Sequence, residues 1–91
     1  MIQLIVRNRV EDFDIWKAIF DSNADAAREA GLFLKHLWRK IDDPNDVYFL
    51  FEVRERAEAE AFMNAPDAAE TGRKSGVLDG EYHFVQSPEH F

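Results

Sequence analysis

One histidine and one glutamate carry the best candidate chemistry in this sequence. His36 and Glu52 lie in two runs rich in β-branched and aromatic residues, which five turn formers at 42–46 separate. This pattern predicts a long β-hairpin. If Ile41 pairs with Val47, His36 lies directly opposite Glu52. A carboxylate beside an imidazole favours the protonated ring and fixes its tautomer, as a general acid or base requires.

The same pair also has a purely structural interpretation. Cross-strand pairs of His and Glu stabilise sheets without any function, so an ion pair at the sheet rim remains the alternative. The predicted pairing places seven residues on one face: Leu34, His36, Trp38, Lys40, Tyr48, Leu50 and Glu52. A slip of one residue would separate His36 from Glu52.

Aromatic residues predict a pocket for a flat ligand. The indoles of Trp16 and Trp38 offer stacking area and one hydrogen-bond donor each. Tyr48 shares the predicted face of Trp38, and Phe62 lies where a second helix would close such a pocket. Tyr82 and His83 occupy opposite faces of the last strand, so only one of them can look into a pocket. If that residue is Tyr82, it is the better acid or hydrogen-bond donor. Core packing is the alternative role for Trp16, Trp38 and Phe62.

The order of predicted elements defines the fold class. A first strand covers 2–8, and a helix of about five turns follows until Gly31 stops it. After the hairpin, helical residues run from 56 until Pro66 interrupts them, and a second short helix follows at once. The last strand covers 80–86. Strand, helix, strand, strand, helix, strand is the ferredoxin-like α+β arrangement, with four antiparallel strands in a single domain.

The predicted sheet has one face too apolar for water. Both helical regions cover the same side, and the other side carries Ile, Val and Phe. The chain contains eight Phe, two Trp and two Tyr, more than one small core hides easily, and no Cys to form a disulfide. We therefore expect a homodimer through the sheet face.

Charge and hydropathy exclude several classes of partner. A formal charge of -7 repels phosphate backbones, so we expect no nucleic acid. No apolar run has the ~20 residues that span a bilayer, and the N-terminus lacks the features of a secretory signal. We expect no membrane contact and a cytoplasmic location.

Metal binding is not expected. The three histidines are scattered over two strands and a C-terminal tail at 87–91, where His90 lies. The acidic loop at 42–46 lacks the glycine and the distal glutamate of a calcium loop, so turn chemistry explains it better. Four cationic side chains on the strands have two alternative roles, which are binding an anionic substrate and pairing with acids of a partner subunit. These residues are Arg7, Arg9, Lys35 and Arg39.

Four segments carry a resemblance to a known family: Val-Glu-Asp-Phe-Asp-Ile-Trp at 10–16, Asp-Asp-Pro-Asn-Asp-Val at 42–47, Glu-Ala-Phe-Met-Asn-Ala-Pro at 60–66 and Gly-Val at 76–77. Through them nearly the whole chain resembles the dimeric α/β-barrel superfamily, which includes antibiotic-biosynthesis monooxygenase-like and polyketide cyclase-like proteins. The resemblance implies two sheets packed face to face across a twofold axis. It also implies a pocket in each subunit between sheet and helices.

Members of that superfamily differ in what the pocket does. Some are cofactor-free monooxygenases acting on polycyclic phenols, some degrade haem, and some isomerise or cyclise. Asn8 resembles an Asn on the first strand of the haem-degrading members, but their haem-ligating His falls in the second helical region. This chain has no His at 56–75. We therefore expect no haem and no other cofactor.

The leading hypothesis is a cytoplasmic homodimer that binds a small apolar or aromatic molecule. Whether it is an enzyme stays open. If it is, the resemblance implies cofactor-free monooxygenase or cyclase chemistry, with His36 as acid or base, Glu52 orienting it, and Asn8 polarising a carbonyl or dioxygen. The residues expected to shape the pocket are Trp16, Trp38, Tyr48, Phe62 and Tyr82. The alternative is a non-catalytic ligand-binding or structural dimer.

Overall fold

Four strands and four helices make up the fold in the computed structural model, which describes residues 1–88. In order these are β1 (Ile2–Val10), α1 (Phe13–Ser22), α2 (Ala24–Glu29), β2 (Leu32–Arg39), β3 (Asp46–Val53), α3 (Arg56–Asn64), α4 (Pro66–Lys74) and β4 (Val77–Gln86). The strands form one antiparallel sheet in the order β2-β3-β1-β4. The predicted ferredoxin-like α+β fold is confirmed. Residues 89–91, which include His90 of the predicted tail, lie outside the described residues.

Each predicted helical region is divided into two helices. The Asp12 side chain accepts hydrogen bonds from two backbone amides and so caps the start of α1. The helix predicted to run on to Gly31 instead breaks at Asn23, whose side-chain amide donates to the carbonyl of Ile19 at 2.9 Å. This bond takes a carbonyl that would otherwise continue the helix. In the second region, Pro66 stands at the first turn of α4, where its missing N–H costs nothing.

The hydrophobic core lies between the helices and one face of the sheet, here named the inner face. Along β1 every second side chain points inward, so Leu4 and Val6 are buried, whereas Ile5 on the outer face is 41% exposed. Neighbouring strands follow the same alternation. The buried core residues are Leu4, Val6, Val10, Trp16, Leu32, Val47, Phe49, Phe51, Val53 and Ala59.

The hairpin register differs from the prediction. Trp38 pairs with Tyr48 and His36 pairs with Leu50, so the expected pairing of His36 with Glu52 is wrong. The loop is longer than the five predicted turn residues, because β2 already ends at Arg39. The backbone amide of the next residue, Lys40, donates a hydrogen bond to the carbonyl of Asp46. The resulting shift is two residues, which keeps each of these side chains on its expected face.

An irregularity in β2 moves the residues before it, Phe33 and Leu34, to the opposite faces from those predicted. The register shifts between Leu34 and His36, so that Leu34 pairs with Phe51 and joins the inner face. Glu52 lies opposite Phe33 instead. Such a β-bulge changes which face the residues before it present. The predicted grouping of Leu34 with His36 is therefore wrong.

The hairpin loop fixes the start of α1. The Asn45 carboxamide accepts a hydrogen bond from the backbone amide of Phe13 at 3.0 Å and donates to the carbonyl of Glu11 at 3.3 Å. Its own carbonyl accepts from the amide of Val10. The acidic loop thus has the structural role that the sequence favoured, and it ties the β2–β3 connection to the β1–α1 junction.

A charged pair stabilises the same end of the sheet. Asp46 is 3% exposed, and the Arg7 guanidinium donates to both of its carboxylate oxygens, at 2.8 and 3.0 Å. These hydrogen bonds, with the positive charge that they bring, hold the pKa of Asp46 below its ordinary value of 3.8. The Asp46 carboxylate also raises the pKa of Arg7, which stays protonated throughout.

We expect Asp46→Asn to lower the melting temperature at neutral pH and to flatten the acid limb of the stability curve. The folded-state pKa lies below the unfolded-state value, so this carboxylate stabilises the protein fully above about pH 4 and loses its contribution as pH falls through the folded-state pKa. Thermal melts between pH 7 and pH 2 measure it. Asp42→Asn, in the exposed loop, is the control, and an equal loss at every pH would contradict the prediction.

Candidate functional site

A cavity of about 710 Å³ lies between the inner face of the sheet and the helices. All four strands contribute to its floor, α1 and α2 line one side, and α3 and α4 line the other. Its volume is that of a typical small-molecule site. The large apolar side chains lining it are Leu4, Val6, Trp16, Ile19, Phe20, Leu32, Leu34, Phe49, Phe51, Phe62, Met63 and Val77.

Trp16 is both core residue and cavity wall. Its indole is 3% exposed and stacks on the ring of Phe20, with ring centroids 4.7 Å apart. The centroid of the Phe49 ring lies 5.6 Å from the centroid of the Trp16 ring. The two roles weighed from the sequence therefore coincide in one side chain. Phe62 also lines the cavity and packs against the core.

Polar groups are few among the lining residues. Ser75 and Asn23 are already engaged, since the Ser75 hydroxyl donates to the carbonyl of Gly72 at 3.0 Å and Asn23 donates within the α1–α2 turn. Of the other uncharged polar lining residues, Asn8 and Tyr82 lie on the sheet and Thr71 lies on α4. No hydrogen bond joins the Asn8 carboxamide to another residue of the described chain, and its atoms are not sealed from solvent. A carboxamide donates and accepts, and a phenol does both as well.

The strand register places Asn8 and Tyr82 on the inner face. Asn8 follows Leu4 and Val6 at two-residue intervals, and it pairs with Val47 on one side and Gly80 on the other. Tyr82 pairs with Val6, two residues further along β4. The prediction that Tyr82 and its neighbour His83 point to opposite faces agrees with this register.

Four of the predicted site residues lie on the outer face instead. His36, Trp38, Tyr48 and Glu52 alternate with the inward residues of β2 and β3, so the sheet itself separates them from the cavity. The rings of His36 and Trp38 stack with centroids 5.0 Å apart, and Trp38 is 49% exposed. The expected constellation is thus divided into two sets, one on each side of the sheet.

The four strand cations do not line the cavity. Arg7 pairs with Asp46, and Arg9 donates from Nε to Asp79 at 3.0 Å. Arg39 lies 3.8 Å from the centre of the Phe13 ring and donates to the backbone at 2.9 Å. Lys35 lies 3.8 Å from a carboxylate oxygen of Glu52 on the outer face. The geometry therefore offers no support for an anionic-substrate site built from these cations.

Gly80 is among the cavity residues that the sequence does not predict for the site. The sequence predicts it as the start of the last strand, whereas in the structure it lies within β4, opposite Asn8. The detectable signal is its position, because β4 begins at Val77 and a glycine inside a strand marks a bulge or a close approach.

Residues 1–88 contain neither a metal-binding cluster nor a membrane-spanning helix. No group of three or more His, Asp or Glu side chains converges there as the ligands of a metal ion do. None of the helices in this range is both long and apolar enough to cross a bilayer.

No protein-family model matches the chain, and no curated protein resembles it significantly. Solved structures do. An antibiotic biosynthesis monooxygenase matches with a TM-score of 0.73 at 17% identity, covering 97% of this chain and 99% of that one. The fold is that of antibiotic biosynthesis monooxygenase-like proteins.

Two further structures with this fold differ in what is known of them. A mutant of SnoaB, a cofactor-independent oxygenase from Streptomyces nogalater, matches with a TM-score of 0.72 at 14% identity, covering 97% of this chain and 93% of that one. An uncharacterized NIPSNAP domain protein from Burkholderia xenovorans matches with a TM-score of 0.69 at 13% identity, covering 100% and 98%. At identities this low the structural likeness establishes a shared fold and does not establish a shared function.

The two tryptophans provide a direct test of the two faces. We expect Trp16→Ala to lower the free energy of unfolding by about 3–5 kcal/mol, because it removes a buried indole from the core. Trp38→Ala removes a half-exposed indole and should cost less than about 1 kcal/mol. Denaturant unfolding measures both at a protein concentration at which every variant is monomeric, so that Trp38 stays half exposed in the folded state. Equal losses would contradict the assignment of faces.

Proposed function

We propose that this protein is a homodimer whose subunits each bind a small, uncharged, largely apolar or aromatic molecule in the inner cavity. We further propose that it acts on this molecule as a cofactor-independent monooxygenase or cyclase. The observation that carries the proposal is the apolar cavity, with the Asn8 carboxamide free to hydrogen-bond inside it. The cytoplasmic location expected from the sequence stays a prediction.

The charges around the cavity favour an uncharged ligand. Arg28 is the only cation among the described lining residues, and it is paired with Asp25. The remaining charged lining residues are acids. An anionic ligand would therefore lose its hydration without gaining a free cationic partner, which disfavours its binding.

The cavity residues suit chemistry in which the substrate supplies the electrons. An electron-rich phenol can transfer an electron to dioxygen while its hydroxyl proton passes to the reduced oxygen, so the protein has to hold the ring, exclude water and stabilise the negative charge that develops in the transition state. Trp16 and Phe20 offer flat apolar walls, and Asn8 offers an amide donor. Tyr82 is a second donor at the β4 side. These roles apply to a cyclase as well, since an enolate intermediate needs the same stabilisation.

A second candidate function is ligand binding without catalysis. The observation that favours it is that no histidine lines the cavity in the described chain, because His36 and His83 both project from the outer face. The general base inferred from His36 and Glu52 is therefore absent from the cavity of one subunit. A binding protein needs the walls and the amide but no base.

The outer face supports the proposed dimer. Helices cover only the inner face, which leaves Ile5, Trp38 and Val85 at least 36% exposed on the outer one. These residues come from β1, β2 and β4, and Leu50 on β3 lies between the first two. The expected row of Val and Phe is wrong for β3, since its Phe49 and Phe51 face the helices. The outer face instead carries apolar side chains on all four strands among charged ones such as Arg7 and Glu52, a mixture that suits a second copy of the same sheet. His36 and Trp38 would then belong to the interface.

We expect 2-naphthol to bind in the cavity and Asn8→Ala to weaken it about tenfold, because a phenol loses its hydrogen-bonding amide. Isothermal titration calorimetry measures the affinity. The anion 2-naphthoate, with the same rings, should bind at least about tenfold more weakly than 2-naphthol.

The matched control is His36→Ala, which lies outside the cavity and should leave the affinity unchanged. Any oxygen uptake or turnover of a bound phenol should follow the same ranking of variants. A loss of binding in His36→Ala equal to that in Asn8→Ala would move the site to the outer face. Absence of binding by any aromatic probe would refute the proposal.

We expect Ile5→Glu to convert the dimer into a monomer at micromolar concentration, because it introduces a charge at the centre of the outer face. Ile41→Glu is the matched control, since Ile41 lies in the hairpin loop and is 99% exposed. Sedimentation velocity measures both. A wild-type chain that sediments as a monomer would overturn the proposed dimer.

A further inference from the structure

We propose that Gly80 is a positioning residue for the cavity: its missing side chain leaves the space in which the Asn8 carboxamide lies. The inference rests on the proposed function only in taking Asn8 as the polar contact for the ligand. The contact between the two residues is a property of the folded chain alone.

The distances identify the constraint. A Cβ atom built on Gly80 would lie 2.5 Å from Oδ1 of Asn8 and 3.6 Å from its Cγ. Carbon and oxygen atoms that are not bonded do not approach this closely, so an alanine at position 80 would displace the amide. The next contact, the carbonyl oxygen of Arg7, would lie at 3.0 Å, so the amide meets the larger overlap.

Backbone conformation does not explain this glycine. Among the described residues, positive φ angles occur at Gly31 and Gly76, and Gly80 is not one of them. Gly80 therefore has a backbone that any residue can adopt, within a strand where glycine is unfavourable. The space that it leaves is the physical reason for glycine here.

The space lies in the cavity wall. Gly80 and Asn8 are cross-strand partners on the inner face, and both line the cavity together with Tyr82. A side chain at position 80 would thus turn the amide away from its present position and occupy the corner between Asn8 and Tyr82. Gly80 sets the direction in which the amide reaches a ligand.

Four variants test this: Gly80→Ala, Asn8→Ala, the double variant, and Gly72→Ala. Gly72 also lines the cavity, but a Cβ there would meet nothing within 4 Å, so it controls for the same chemical change. Two-dimensional 15N NMR spectra report the side-chain NH₂ resonances of Asn8, assigned by their loss in Asn8→Ala. We expect Gly80→Ala to shift these resonances and Gly72→Ala to leave them in place.

Affinity for 2-naphthol supplies the second readout. Gly80→Ala should weaken binding about as much as Asn8→Ala, about tenfold, and the double variant should be no weaker than Asn8→Ala alone. Additive losses in the double variant would show that position 80 acts without Asn8, and would overturn the inference. Unshifted Asn8 resonances in Gly80→Ala would overturn it as well.

The test separates this inference from the proposed function. If the wild-type protein does not bind 2-naphthol, the proposed ligand class is wrong, and the NMR comparison still decides whether Gly80 positions Asn8. If Gly80→Ala does not fold, thermal melts of the double variant decide. Recovery of folding when Asn8 is shortened supports the contact, and failure to recover assigns the clash to the Arg7 carbonyl and refutes it.

Discussion

The structure depends on a sheet that is covered by helices on one face only. Each strand alternates its side chains between the two faces, so every residue of β1 to β4 belongs either to the cavity side or to the outer side. The inner face buries Leu4, Val6 and Phe49 against the helices. The outer face keeps Ile5 and Trp38 partly exposed. Core, cavity and proposed dimer interface all follow from this one division.

The cavity exists because the helices stand apart over a broad sheet. Helices α1 and α2 line one side, while α3 and α4 line the other, and between them aromatic rings fill only part of the space. Trp16 shows the consequence, since the same indole stabilises the core and forms a wall of the cavity. Changes that enlarge or reshape this cavity therefore also affect stability, because the same atoms serve both purposes.

The polar features serve different purposes on the two sides. Outside the cavity, Asp46 and Asn45 are fully engaged in hydrogen bonds that hold the hairpin loop, β1 and α1 together. Inside it, Asn8 keeps a carboxamide without a partner in the described chain. Leaving such a group open to a cavity is unfavourable for stability unless water or a ligand completes its hydrogen bonds. This contrast is why the candidate site centres on Asn8.

The sequence by itself determined the order of strands and helical regions, the turn role of the acidic loop and the opposite faces of Tyr82 and His83, because these depend on local periodicity and turn chemistry. Only the tertiary structure decided the register of the hairpin and which face the helices cover. A two-residue shift and a bulge after Leu34 satisfy local preferences as well as the predicted pairing does. The separation of His36 from Asn8 follows from where the helices pack, which no local pattern in the strands specifies.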